Sequence, residues 1–168
     1  MILYHGSNVI VEKPMLLHQK RKLDFGAGFY TTTNELQAII FAGKVMKRTK
    51  SDTQYVSKYE FDLDSVSKEL SILRFQSADA EWLEFVSQNR QGTYLGKAYD
   101  VVYGPVANDD VFRTFIFYEA GAYTKEQTLE ALKIKKLFNQ LCFSSEKALS
   151  YLTYIGILDW TGGVPNGR

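Results

Sequence analysis

Asp24-Phe25-Gly26-Ala27-Gly28-Phe29-Tyr30-Thr31-Thr32-Thr33 is the stretch on which the reading of this 168-residue chain turns. Its two glycines carry no Cβ, so the backbone can turn tightly and let a ligand or another strand approach closely. The aromatic and β-branched run from Phe29 to Thr33 favours an extended strand. At Asn34 the pattern changes to helix, because Asn34 can cap and Gln37 stands three residues on, as in a capping box. A glycine turn, a short strand and a helix start can frame a small-molecule pocket. Such a turn is structural more often than it is a site.

Upstream, Ile2 to Tyr4 reads as a short opening strand that His5-Gly6-Ser7 breaks, leaving an imidazole at a strand end beside flexible backbone. Asn8 to Gln19 is irregular and contains Pro14, and the basic cluster Lys20-Arg21-Lys22 stands directly before the glycine turn. If the turn holds a phosphorylated ligand, Arg21 is placed to meet it.

Downstream, Leu36, Ile39, Ile40, Gly43 and Met46 recur at helical spacing and predict an apolar stripe on a helix over 35–48. A half-buried strand follows over 55–63, with Tyr59, Phe61 and Leu63 on one face, then a short helix or irregular stretch over 64–75. Trp82, Phe85, Val86 and Asn89 mark a second helix, and Asp100 to Val106 a buried strand. Asn108 can cap a third helix with Phe112, Phe115 and Ile116 inside and Gly121 as its stop. Thr124 and Gln127 form a further capping box. Leu137 to Phe143 returns to strand, Ser144 or Ser145 caps a short helix through Leu152, and Tyr154 to Trp160 adds a final strand. No repeat, heptad or domain boundary is visible: 1–160 reads as one domain and 161–168 as a disordered tail or an appended remnant.

The length suffices for a substantial core, and 11 Tyr with 11 Phe suggest strands and large rings rather than a simple bundle. A net charge of +1 gives no global attraction for nucleic acid or an anionic membrane. The single cysteine, Cys142, excludes an internal disulfide framework, fits a reducing cytoplasm and reads as a buried small hydrophobe. No stretch approaches the ~20 apolar residues that span a bilayer, and no signal peptide is visible.

Other motifs fail on context. Asp24-Phe25-Gly26 lacks the strand lysine and catalytic loop of a kinase. Gly26-Ala27-Gly28 lacks the third glycine of a dinucleotide fingerprint. His5 and His18 have no metal-ligand spacing, so no metal site is expected.

What remains is His5 at the end of the first strand, Tyr30 on the glycine-led strand and Gln140 on a late one. This arrangement resembles the His-Tyr-Glu/Asp/Gln branch of the ADP-ribosyltransferase superfamily, which includes the diphtheria-toxin-like enzymes and the poly(ADP-ribose) polymerases. More closely, the chain looks like a bacterial family of uncharacterised proteins placed near that branch. The likeness rests on Tyr4-His5-Gly6-Ser7, the block from Asp24 to Thr32, the block from Asp100 to Asp109, and Gln140-Leu141-Cys142-Phe143-Ser144.

The resemblance implies an α+β fold with a split mixed sheet forming a cleft that grips NAD, and helices packed outside. It implies that His5 holds the nicotinamide ribose, with the backbone at Gly6 holding the carboxamide and Ser7, Gly28 and Phe29 alongside. Tyr30 would stack on the nicotinamide ring. Gln140 would stand where the family normally has a glutamate that stabilises the cation developing as nicotinamide leaves. It carries no charge, so that stabilisation is weaker, and Asp109 or Asp24 is a nearby acid able to supply charge. The implied activity is transfer of ADP-ribose from NAD to a protein or nucleic-acid acceptor, by a cytoplasmic bacterial effector or toxin with a small neutralising protein partner. A catalytically silent NAD-binding or partner-binding module is the alternative.

Overall fold

A chain rich in β-branched and aromatic residues with glycine breaks can bury both faces of a sheet if helices cover them. The computed structural model describes residues 1–16, 23–106, 109–133 and 137–159. Strands β1 (Ile2–Ser7), β2 (Phe29–Thr32), β3 (Tyr55–Glu60), β4 (Ile72–Arg74), β5 (Val101–Pro105), β6 (Asn139–Phe143) and β7 (Thr153–Ile157) form one seven-stranded sheet. Its order is β4-β5-β6-β2-β1-β3-β7. Among the described strands only β4 and β5 run parallel, so the sheet is mixed. Among the described residues five α-helices accompany it: α1 (Glu35–Thr49), α2 (Ala80–Gln91), α3 (Asp109–Glu119), α4 (Lys125–Lys133) and α5 (Glu146–Leu149). None among the described residues is long and apolar enough to cross a membrane.

The local signals work where they are local. Asn34 caps α1 by accepting from the Gln37 amide at 2.9 Å, while Gln37 Oε1 accepts from Thr32 Oγ1 at 2.6 Å instead of reaching back. Asp79 caps α2, and the Thr124–Gln127 box closes in both directions before α4. Ser145, not Ser144, caps α5.

Four expectations are corrected. The first strand is not broken at His5-Gly6-Ser7, because β1 pairs with β3 along its whole length, from Ile2–Glu60 to Ser7–Tyr55. The fully buried residues of α1 are Ala38, Ala42, Gly43 and Val45, so of the expected stripe Gly43 is buried, Ile39, Ile40 and Met46 are half-buried, and Leu36 is 46% exposed. Small residues are required there because α1 crosses β1 at Gly6, where a Cβ would overlap the Ala38 carbonyl oxygen and lie 2.8 Å from the Ala42 nitrogen. The stretch 64–75 holds the short helix, a 3₁₀ one over Ser65–Lys68, but also the strand β4, which is too short to show an alternation. On α3 the buried residues include Val111 and Phe115, while Ile116 is solvent-facing. Asn108, Trp160 and the tail lie outside the described residues.

The core has two sides. On one face Leu3, Phe29, Tyr59, Phe61, Leu141 and Phe143 pack together. On the other, α2 and α3 bring Trp82, Leu83, Val86 and Phe115 onto Phe25, Val102 and Cys142. Beside this second cluster α1 covers Val56. Gly6→Ala is expected to cost about 1–3 kcal/mol, since the atoms it would strike are helix backbone and cannot rotate away. A urea melt reads that cost, and an unchanged midpoint would count against the packing of α1 on β1.

Candidate functional site

The sheet is weakest where β1 meets β2. That junction has the single register pair Tyr4–Thr32, against six pairs between β1 and β3 and four between β2 and β6. Beside it the His5 side chain bridges the two strands, its Nδ1 lying 2.7 Å from the Tyr30 carbonyl oxygen. A carbonyl can only accept, so Nδ1 carries the proton and Nε2 keeps its lone pair. Nε2 has no partner among the described residues. Phe29 supports the ring from below, with centroids 4.4 Å apart.

Burial pushes the His5 pKa below its ordinary value, and the bond to Tyr30 opposes this only in part. The imidazole is therefore neutral near pH 7. A base with a depressed folded pKa binds fewer protons folded than unfolded, so stability is undiminished above about pH 6.5 and falls as pH drops through that value. Unfolding free energy measured from about pH 8 down to about pH 5 is expected to decline, with a shallower slope in His5→Gln. An identical slope in the variant would show that His5 does not titrate in this way.

Tyr30 is committed differently. Its hydroxyl donates to the Gly26 carbonyl at 2.6 Å and accepts from the Phe25 amide at 3.0 Å, which ties the glycine turn to the strand that follows. Burial raises its pKa well above the usual value, so the phenol stays protonated. What Tyr30 can still offer a ligand is its half-buried ring, not its hydroxyl. Gly28 serves the sheet itself: a Cβ there would overlap Cys142 Sγ and lie 2.6 Å from the Phe143 carbonyl oxygen. Cys142 is fully buried, and burial lifts its thiol to about 12, so it is not a nucleophile.

Gln140 enters from the other side of β2, opposite Thr32 in register and 7% exposed. Its Nε2 donates to Asp24 Oδ2 at 3.3 Å, and Asp24 Oδ1 accepts from Arg90 Nη1 at 3.3 Å. Both side chains of that ion pair are 16% exposed, and the Arg90 guanidinium lies over the Phe115 ring at 5.1 Å. Asp24 thus links the turn to α2 and to β6.

The topology brings His5, Tyr30 and Gln140 onto three adjacent strands, though not onto one face. Tyr30, Thr32, Gln140 and Cys142 share the face covered by α2 and α3. His5 lies on the opposite face with Leu3 and Phe29, and reaches Tyr30 through its backbone. Phe29, at 7% exposure, is core, and Gly6 lies under α1. Ser7 ends β1 half-buried, and Arg21 lies outside the described residues. Two shallow depressions elsewhere, one lined by Glu12, Pro14 and Glu146 and one by Tyr123 and Gln127, include none of the three.

Two participants escaped the sequence reading. Arg90 sits 66 residues from Asp24 in the chain, and its position in the last turn of α2 is an ordinary place for a cation. Thr31 Oγ1 is buried with no partner on the His5 face of β2, and no local pattern distinguishes it from its neighbours Thr32 and Thr33. No group of three metal-ligating side chains occurs among the described residues.

Fold and site together define a mixed α+β protein whose seven-stranded sheet has a polar seam at β1, β2 and β6. Over residues 1–154 the chain matches the family described as Protein of unknown function (DUF3990), and it belongs to that family. No curated protein matches it.

Proposed function

We propose that this protein is an NAD-dependent ADP-ribosyltransferase whose substrate enters the seam between β1 and β2. The observation that carries the reading is the convergence of His5, Tyr30 and Gln140, from strands far apart in sequence, on three neighbouring strands beside a one-pair junction. That short junction also supports reading the sheet as a split one. A ligand lying in such an opening can touch groups from both faces, which a ligand resting on one face cannot.

Each residue then has a limited role. His5 Nε2, an acceptor by virtue of its tautomer, takes a hydrogen bond from a ribose hydroxyl. The Tyr30 ring offers a flat face to the nicotinamide cation. Gln140 offers its amide oxygen to a ribose hydroxyl close to the carbon under attack. The bond between that carbon and the nicotinamide nitrogen breaks, its electron pair leaving with neutral nicotinamide. The acceptor's nucleophile forms the new bond and loses its proton.

The test uses NAD labelled on its adenylate portion, incubated with the protein and a cell extract. Released nicotinamide and label on macromolecules are expected, the label removed by protease for a protein acceptor or by nuclease for a nucleic acid. His5→Ala should weaken NAD binding by about 1–3 kcal/mol through a lost buried hydrogen bond. NAD affinity equal to wild type in that variant would sink the assignment of the seam.

The uncharged Gln140 favours a second reading, an NAD-binding module without turnover. It predicts affinity for NAD and no free nicotinamide.

A further inference from the structure

We infer that Asp24 is a positioning residue for Gln140, an inference that rests on the transferase reading above. An amide side chain can present either its oxygen or its NH2 to a site, and the choice is made by whatever holds the other end. Here the other end meets a carboxylate, which only accepts, so the NH2 of Gln140 is committed to Asp24 Oδ2. The oxygen is thereby turned away from Asp24. It has no partner among the described residues and is not sealed in the core, although Gln140 as a whole is 7% exposed. Of the two ends of the amide, the acceptor is the one left for a substrate hydroxyl.

Arg90 meets the carboxylate from its other side. Its guanidinium lies against the Phe115 ring, itself fully buried, and its Nη1 meets the second oxygen of Asp24. The chain of contacts Phe115–Arg90–Asp24–Gln140 therefore runs from the packed core to the seam. It assigns a purpose to a charge pair that stability alone would not require, because a buried ion pair replaced by apolar groups of similar size is often neutral or stabilising.

That last point separates positioning from structure. Asp24→Leu/Arg90→Leu removes both charges together and is expected to leave the melting temperature close to wild type. Its kcat for nicotinamide release should nonetheless fall about 100-fold, the scale of loss from a small misplacement, with KM for NAD changed about threefold or less. Asp24→Asn leaves one acceptor oxygen for two donors, and with that oxygen on Arg90 its NH2 faces Gln140 and favours the turned amide, so its kcat should fall as well. Asp24→Glu keeps the ion pair and the fold but shifts the acceptor by one methylene, so its kcat should fall with stability retained, even if the double variant does not fold.

The Gln140 side-chain amide signals in a 15N spectrum, identified by their loss in Gln140→Met, report the same contact without substrate. They should move in Asp24→Leu/Arg90→Leu or Asp24→Glu. Wild-type kcat in either of those variants, or unmoved amide signals, overturns the positioning role while leaving the functional reading intact. Wild-type protein that neither binds NAD nor releases nicotinamide overturns the functional reading and this role with it.

Discussion

Gln140→Glu is expected to weaken the fold at neutral pH and to gain activity only when Asp24 is changed with it. The family resemblance taken alone predicts the opposite, since a carboxylate at this position would supply the missing charge and raise turnover. The neighbourhood of Gln140 is decisive here. Its Nε2 lies 3.3 Å from Asp24 Oδ2, so a glutamate would set two carboxylates against each other in a largely buried place. Like charges at that distance raise the pKa of the pair, and the protons belong to the pair rather than to either group.

A carboxylic acid with a raised folded pKa loses its proton first in the unfolded state, so stability falls as pH rises through the unfolded value of about 4.3 toward the folded one. Chemical denaturation of Gln140→Glu should therefore show its largest deficit near pH 7 and a smaller one near pH 4. Asp24→Asn/Gln140→Glu exchanges the two functional groups, removes the repulsion and should recover the stability. If a missing charge limits nicotinamide release, that double variant is the one in which turnover rises. Gln140→Glu that is as stable as wild type at every pH would mean that Asp24 and residue 140 do not meet.

Trp82→Ala is the second large effect, and it is purely structural. The indole is fully buried, its Nε1 donates to the Pro105 carbonyl at 3.1 Å, and it meets Phe115 edge-on with centroids 5.5 Å apart. Truncation removes the ring, leaves a cavity beneath α2 and orphans a carbonyl, for a combined loss of about 3–5 kcal/mol. In a chain of this size that corresponds to a fall in Tm of roughly 6–20 °C. Trp82→Phe should recover much of it, with the unpaired carbonyl as the residual cost. A Tm within a degree or two of wild type in Trp82→Ala would contradict the packing of α2 on the sheet.

Chain-local chemistry made much of this fold legible. Asn34, Asp79, Thr124 and Ser145 cap helices because a short polar side chain can reach an amide three residues ahead. Trp82, Phe85 and Val86 turn inward because their spacing matches one face of a helix. The strand after the glycine turn and the one carrying Gln140 are also readable, being β-rich runs between breakers. The pattern of α1 places Gly43 inside but omits Ala38 and Ala42, because large apolar residues outweigh alanines in a pattern while the close approach of the Gly6 backbone admits only small side chains.

The candidate site divides along the same line. Residue types alone determined that Tyr30 and Gln140 stand on strands, that His5 follows the start of the first, and that Cys142 is a small hydrophobe fit for burial. Only the tertiary structure decided that β6 inserts between β5 and β2, which sets Gln140 opposite Thr32 and within reach of Asp24, and that β1 joins β2 through one register pair with the His5 ring bonded to the Tyr30 carbonyl beside it. It also decided that Arg90 meets Asp24 across 66 residues of chain. Strand order and such distant pairings are settled by which surfaces bury one another once the chain has closed its long loops, and no window of neighbouring residues records that choice.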